Sequence, residues 1–188
     1  MAVAFELFRD DGFAATTVDR VVARARVSKR TFYEHFRNRH HLLEDVVSGF
    51  TAAAFAANDR DSRGFGNPLQ RLLALARLFN RSANSPDSIG MMRLLIAEAA
   101  KLDGLPERLH RQGVDQALAL LGPPLIELGV QEPERVAGML FELLVIAPLH
   151  KRLVGIPQEA VKVEPLLAAC LRGAGYSDEA TGGMPSTP

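Results

Sequence analysis

The chain has 188 residues, 47% of them hydrophobic and 23% charged, and its formal net charge is zero. These proportions exclude a disordered polyelectrolyte, the single cysteine (Cys170) excludes an internal disulfide framework, and no apolar run reaches the roughly 20 residues that a membrane helix requires. With no basic stretch at the start to act as a secretory signal, the expectation is a cytoplasmic protein: a small domain joined to a larger one.

The elements read as helices throughout. Residues 3–9 form a first helix with Phe5, Leu7 and Phe8 apolar, and Gly12 is a left-handed stop. Thr17 caps a second helix over 18–24, in which Val18, Val21, Val22 and Ala25 share one buried face. Ser28 caps a short third helix ending near Phe36, and Asn38 caps a fourth that runs to about Ala57. The polar, Gly-containing run 58–67 reads as a break. Helices are expected next over 69–79 and 89–101, with a loop over 82–88 and an interruption over 102–106. A long helix over 107–121 should end at Gly122-Pro123-Pro124. Pro133 opens another that reaches about Leu153, with Pro148 as a kink, and the last helix covers 158–172. Residues 173–188 read as a flexible tail. No alternating strand pattern rises above this helical one, so the fold class is all-α.

Charge is neutral overall but uneven. Between residues 17 and 39 lie Arg20, Arg24, Arg26, Lys29, Arg30, Arg37 and Arg39 against Asp19 and Glu34, a local excess of +5. Such a patch is an electrostatic footprint for nucleic acid, although a solvated helix face gives the same count. The same segment holds two short helices joined by a tight turn near 25–27, the pattern of a helix-turn-helix. In its second helix Phe32 and Phe36 face inward, which leaves Arg30, Thr31, Tyr33, Glu34 and Arg37 pointing outward, with Lys29 at the N-terminal end. Arg and Lys can donate to guanine acceptors, and a threonine methyl can touch a thymine methyl. Thr17 and Ser28 stand at helix N-termini that favour an anion. Arg39 stands in the first turn of helix four, where a cation suits the dipole badly unless a phosphate intervenes.

These parts appear in an ordered set: Phe5 and Phe8, Gly12-Phe13, Thr16-Thr17-Val18, Val27-Ser28-Lys29, Thr31-Phe32-Tyr33, His35-Phe36, and Asn38-Arg39 leading to Leu42-Leu43. Over about forty residues the run resembles the DNA-binding domain of the tetracycline-repressor (TetR) family. The resemblance implies phosphate contacts from Thr17, Ser28, Tyr33 and Arg39. It places Lys29, Arg30, Thr31 and His35 at or near the bases. Position 30 is often small in the family and is Arg here, so the base preference does not transfer. Family members also carry a basic arm and further helix before the position of Ala4. The short start opens a second reading, a dimeric ligand-binding protein with an impaired helix-turn-helix.

The remainder divides on this reading into a DNA-binding unit (1–40), an effector-binding and dimerisation domain (41–172) and a tail (173–188). Residues 93–155 are similar to the C-terminal domain of the AefR-like branch. Pocket candidates are Phe79, Met92, Glu98, His110, Phe141 and His150, and the apolar stock calls for a hydrophobic or amphipathic small-molecule effector. Leu140, Leu143, Leu144 and Ala147, with Leu166, Leu167, Cys170 and Leu171, are expected to meet a twofold mate in a homodimer, which suits a palindromic double-stranded operator. Phe5, Phe8, Phe13, Phe32 and Phe36 are expected in the core. The adjacent His40 and His41 point about 100° apart on a helix, so no metal is expected there. No catalytic motif and no cofactor signature appears, so no enzyme is expected.

Overall fold

A computed structural model describes residues 2–156 and 161–176. Among them all regular structure is helical: α1 (Ala2–Ala15), α2 (Val18–Ala25), α3 (Lys29–His35), α4 (Arg39–Ser62), α5 (Pro68–Ala83), α6 (Pro86–Glu98), α7 (Leu105–Glu127), α8 (Pro133–Phe141), α9 (Ala147–Leu153) and α10 (Val163–Gly173).

The three expected caps form. Thr17 accepts from the Arg20 amide, Ser28 from Thr31 and Asn38 from His41, each satisfying an amide that the helix itself leaves free. Gly12 does not end α1 but kinks it, at φ 78° and ψ 165°, a conformation open to glycine alone. The kink frees carbonyls that a neighbouring side chain takes up: buried Thr16 donates its hydroxyl toward both Leu7 O (3.1 Å) and Gly12 O (2.8 Å). The turn between α2 and α3 is closed by Arg26 in the left-handed region (φ 55°, ψ 42°), where its amide meets Ala23 O and Val22 O.

Four expected boundaries move. First, α4 continues through 58–62, because Asn58 and Ser62 lie on its buried face, where the Asn58 carbonyl accepts from Ser82 and the Ser62 hydroxyl donates to Asp59 O; polarity alone had marked them as loop. Second, the 82–88 loop shrinks to two residues between α5 and α6. Third, α7 runs through Gly122, Pro123 and Pro124, held by Leu121 and Leu125, which are wholly buried on one face. Fourth, α10 starts at Val163; residues 157–160 and 177–188, including most of the expected tail, lie outside the described residues.

Pro148 acts as expected, through an identifiable device. It offers no N–H to the carbonyl four residues back. The chain widens into a π turn at Glu142–Ile146 between α8 and α9, and Asn80 of α5 donates Nδ2 to the orphaned Leu144 O at 2.9 Å.

Two hydrophobic cores result. One gathers Phe8 and Phe13 of α1, Val21 and Val22, Phe32, and Leu42 to Val47 of α4 with Met91, Leu94 and Leu95 of α6. The other packs α5, α7, α8 and α10 around Leu72, Ala76, Leu121, Leu125, Leu140 and Leu167. The expected core phenylalanines take their places, with Phe8, Phe13 and Phe32 buried and Phe5 and Phe36 half-buried beside them. α4 reaches from the first core toward the second, where its Phe55 packs.

Candidate nucleic-acid interface and internal cavity

The inner face of α3 is fixed by Phe32, which is 3% exposed. Its opposite face is left to solvent. Arg30 is exposed and pairs with Glu34 one turn on, at 3.0 Å. Tyr33 is 57% exposed, its ring edge-on against Phe32, which presents the hydroxyl outward. His35 closes the helix on the exposed side, and Thr31 is half-buried, its hydroxyl 3.0 Å from that of Ser28. Lys29 lies exposed at the N-terminus and joins Asp19 of α2 at 2.6 Å. That carboxylate raises the ammonium pKa above its usual value and ties the two helices of the motif together. Thr17 and Ser28 are exposed caps on the same side. Arg24 and Arg26 are exposed on α2 and the turn.

Arg39 has partners within the protein. Its Nη1 donates to Phe13 O (2.8 Å), Thr16 O (2.7 Å) and Ala14 O (3.3 Å), and its guanidinium lies 4.2 Å from the Phe13 ring centroid. The unfavourable dipole of its own helix is offset by the carbonyls at the end of another. Arg39 is a clamp between α4 and α1.

The two adjacent histidines serve different neighbours. His41 accepts from the Arg37 amide at 3.3 Å and meets Phe36 edge-on. His40 lies against Phe13, with its Nε2 3.6 Å from Glu98.

Beneath α4 lies a cavity of about 450 Å³, walled by α4 to α9. Five of the six pocket candidates line it: Phe79, Met92, His110, Phe141 and His150. Glu98 does not. It turns away to Lys101 at 2.9 Å and to His40, and the Lys101 ammonium holds its carboxyl below the usual range. A carboxylate on an apolar helix needed a partner, and a local lysine supplied it. Asn58, Ser82 and Ser88 also line the cavity and were missed, because they fall in stretches whose polarity reads as loop.

The expected twofold face splits in half. Leu140, Leu144, Leu167 and Leu171 are at most 1% exposed inside this chain's own core and cannot meet a partner. Leu143 and Ala147 are exposed, and Leu166 and Cys170 half-buried; with the exposed Met139 they form the outward stripe. Apolar residues on both sides of α8 hide which side is the core.

The profile of "Bacterial regulatory proteins, tetR family" matches residues 1–46. The HTH-type transcriptional regulator YdeS of Bacillus subtilis is 26% identical over 157 residues, which cover 82% of this chain and 76% of YdeS. Residues 1–46 are thus similar to the DNA-binding domain of the TetR family. A second HTH-type transcriptional regulator, Rv1556 of Mycobacterium tuberculosis, is 30% identical over 122 residues, 64% of this chain and 56% of its own length. The chain thus spans little more than half of this mycobacterial relative. Solved TetR-type folds superpose along most of it. A TetR-family protein of Mesorhizobium loti gives a TM-score of 0.71 at 22% identity, covering 92% of this chain and 91% of that one. Reduced NemR of Escherichia coli gives 0.66 at 22%, covering 91% and 92%. Residues 1–46 carry a helix-turn-helix of the TetR type, and among the described residues no helix is long and apolar enough to cross a membrane.

Proposed function

We propose that this regulator is a cytoplasmic homodimeric repressor that leaves a palindromic operator when a small hydrophobic effector enters the cavity. The observation that carries the reading is the pairing, through one helix, of an outward α3 face with an internal apolar cavity: α4 contributes Leu42 and Leu43 to the core beneath the helix-turn-helix and Phe50 and Phe55 to the cavity wall. Residues 1–40 act as the DNA-binding unit and 41–172 as the effector and dimer unit.

On DNA, α3 enters the major groove with Lys29, Arg30, Thr31 and His35 toward the bases, while Thr17, Ser28 and Tyr33 hold phosphates. Two copies of α3 in the dimer stand roughly 34–36 Å apart, one turn of DNA. Met139, Leu143, Ala147, Leu166 and Cys170 supply the apolar stripe for the twofold contact. Ligand shifts α4 and so the spacing, provided that it binds the released conformation more tightly. Fluorescence anisotropy with the DNA upstream of the gene tests this: the apo protein binds saturably with sequence preference, and an effector lowers that affinity. Equal affinity for upstream and scrambled DNA removes the proposal.

A further inference from the structure

Among the described residues, the cavity's wall contains no Asp, Glu, Lys or Arg side chain. Its two histidines, His110 and His150, are both exposed to solvent and so lie at its rim. The remaining polar side chains are Thr51, Asn58, Ser82 and Ser88, and their hydroxyl protons are already engaged. Thr51 donates to Val47 O (3.0 Å), Ser88 to Ser82 O (2.7 Å), and Ser82 to Asn58 Oδ1 (3.1 Å). Asn58 itself is 3% exposed. Its carbonyl oxygen is occupied by Ser82, and among the described residues no acceptor reaches its Nδ2. An amide whose N–H groups have no protein acceptor, on a helix face lining a cavity of ligand size, can donate to an acceptor on a ligand.

We infer that the ligand of this cavity is a neutral, largely apolar molecule carrying a carbonyl-type oxygen that accepts from Asn58 Nδ2. This rests on the reading of the cavity as an effector site and adds the ligand's chemical class. A carboxylate is disfavoured: among the described residues it would meet no Lys or Arg on the wall, and desolvation of the charge would be unmatched. A pure hydrocarbon leaves the amide unsatisfied. The aromatic walls, where Phe79 lies 5.5 Å from Phe55 and 6.4 Å from Phe141 between ring centroids, suit a flat or ring-bearing body. Asn58 stands on α4, so the acceptor bears directly on the helix that supports the DNA-binding unit.

Three compounds of one shape test the inference on the full chain: 4-phenylbutan-2-one, butylbenzene and 3-phenylpropanoate, by isothermal calorimetry near neutral pH. The ketone is expected to bind about five- to ten-fold more tightly than the hydrocarbon, and more tightly than the carboxylate. In Asn58→Leu the ketone loses that advantage while the hydrocarbon still binds. If ketone and hydrocarbon bind wild type equally, or the carboxylate binds best, the inference is wrong although the effector site stands. Binding of none of the three overturns the effector-site reading, and the inference falls with it. The wild-type comparison decides even if Asn58→Leu does not fold.

Discussion

Arg39 stands where the motif places it and, in the fold, is held by this chain's own groups. The sequence places it in the first turn of α4, where an anion would be welcome. In the fold its guanidinium instead finds three carbonyl oxygens and an aromatic face at the end of α1. Arg39→Ala should therefore lower stability by about 1–3 kcal/mol, read by thermal or urea unfolding. The salt dependence of DNA affinity in the folded protein should stay as it is. Loss of about one unit of salt slope with unchanged stability would restore the phosphate role. Lys29, Arg30 and Tyr33 were legible because their neighbours are local: a cap at Ser28 and the i, i+4 pair of Phe32 and Phe36 set the helix and its facing. The partners of Arg39, 23 to 26 residues away, leave no trace in a periodic pattern.

At the scale of elements, the caps and the aromatic spacing defined α2, α3 and the start of α4 well. Ends were harder. Asn58 and Ser62 look like loop residues, yet burial with one side-chain hydrogen bond each keeps them helical; Pro123 and Pro124 look like a stop, yet Leu121 and Leu125 carry the helix past them. Local chemistry sets the prior, and packing overrides it. The same limit governs α8. Its two apolar stripes are separable only when the core is known, and the π turn before Pro148 shifts the register by one residue. Leu140→Ala should open a cavity in this chain's own core and destabilise it by about 2–5 kcal/mol. Leu143→Glu, on the exposed stripe, should leave the fold intact and shift the protein toward monomer in analytical ultracentrifugation. Unfolding caused by Leu143→Glu, or an unchanged dimer, would remove that stripe from the interface.

For the whole molecule, the link between the two ends matters most. α4 is one strut. A second contact joins Glu98, at the end of α6, to His40 beside Phe13 and to Lys101. The Lys101 hydrogen bond lowers the Glu98 pKa in the folded protein, with His40 adding to it and burial opposing. A carboxyl lowered on folding stabilises above its unfolded pKa and loses that contribution as pH falls through the folded one. Wild type minus Glu98→Gln should thus show a stability difference of about 1 kcal/mol or less near neutral pH, since Lys101 is largely exposed, vanishing over roughly pH 5 to 3. A difference that grows on acidification would reverse the assignment. None of this contact was visible beforehand, because it joins residues 58 positions apart, one assigned to a pocket and the other to a histidine pair without a metal.

The central claim is that α3 reads DNA, and the most direct test is one anisotropy titration. Labelled DNA from upstream of the gene, and a scrambled duplex of equal composition, are titrated with wild type and with Lys29→Ala and Tyr33→Phe across several salt concentrations. The predicted result is saturable, salt-weakened binding that prefers the upstream sequence. Tyr33→Phe, expected to lose a phosphate contact, weakens both duplexes alike, whereas Lys29→Ala also narrows the preference, with both variants still folded. Indistinguishable curves for the two duplexes, or wild-type affinity in both variants, would contradict it.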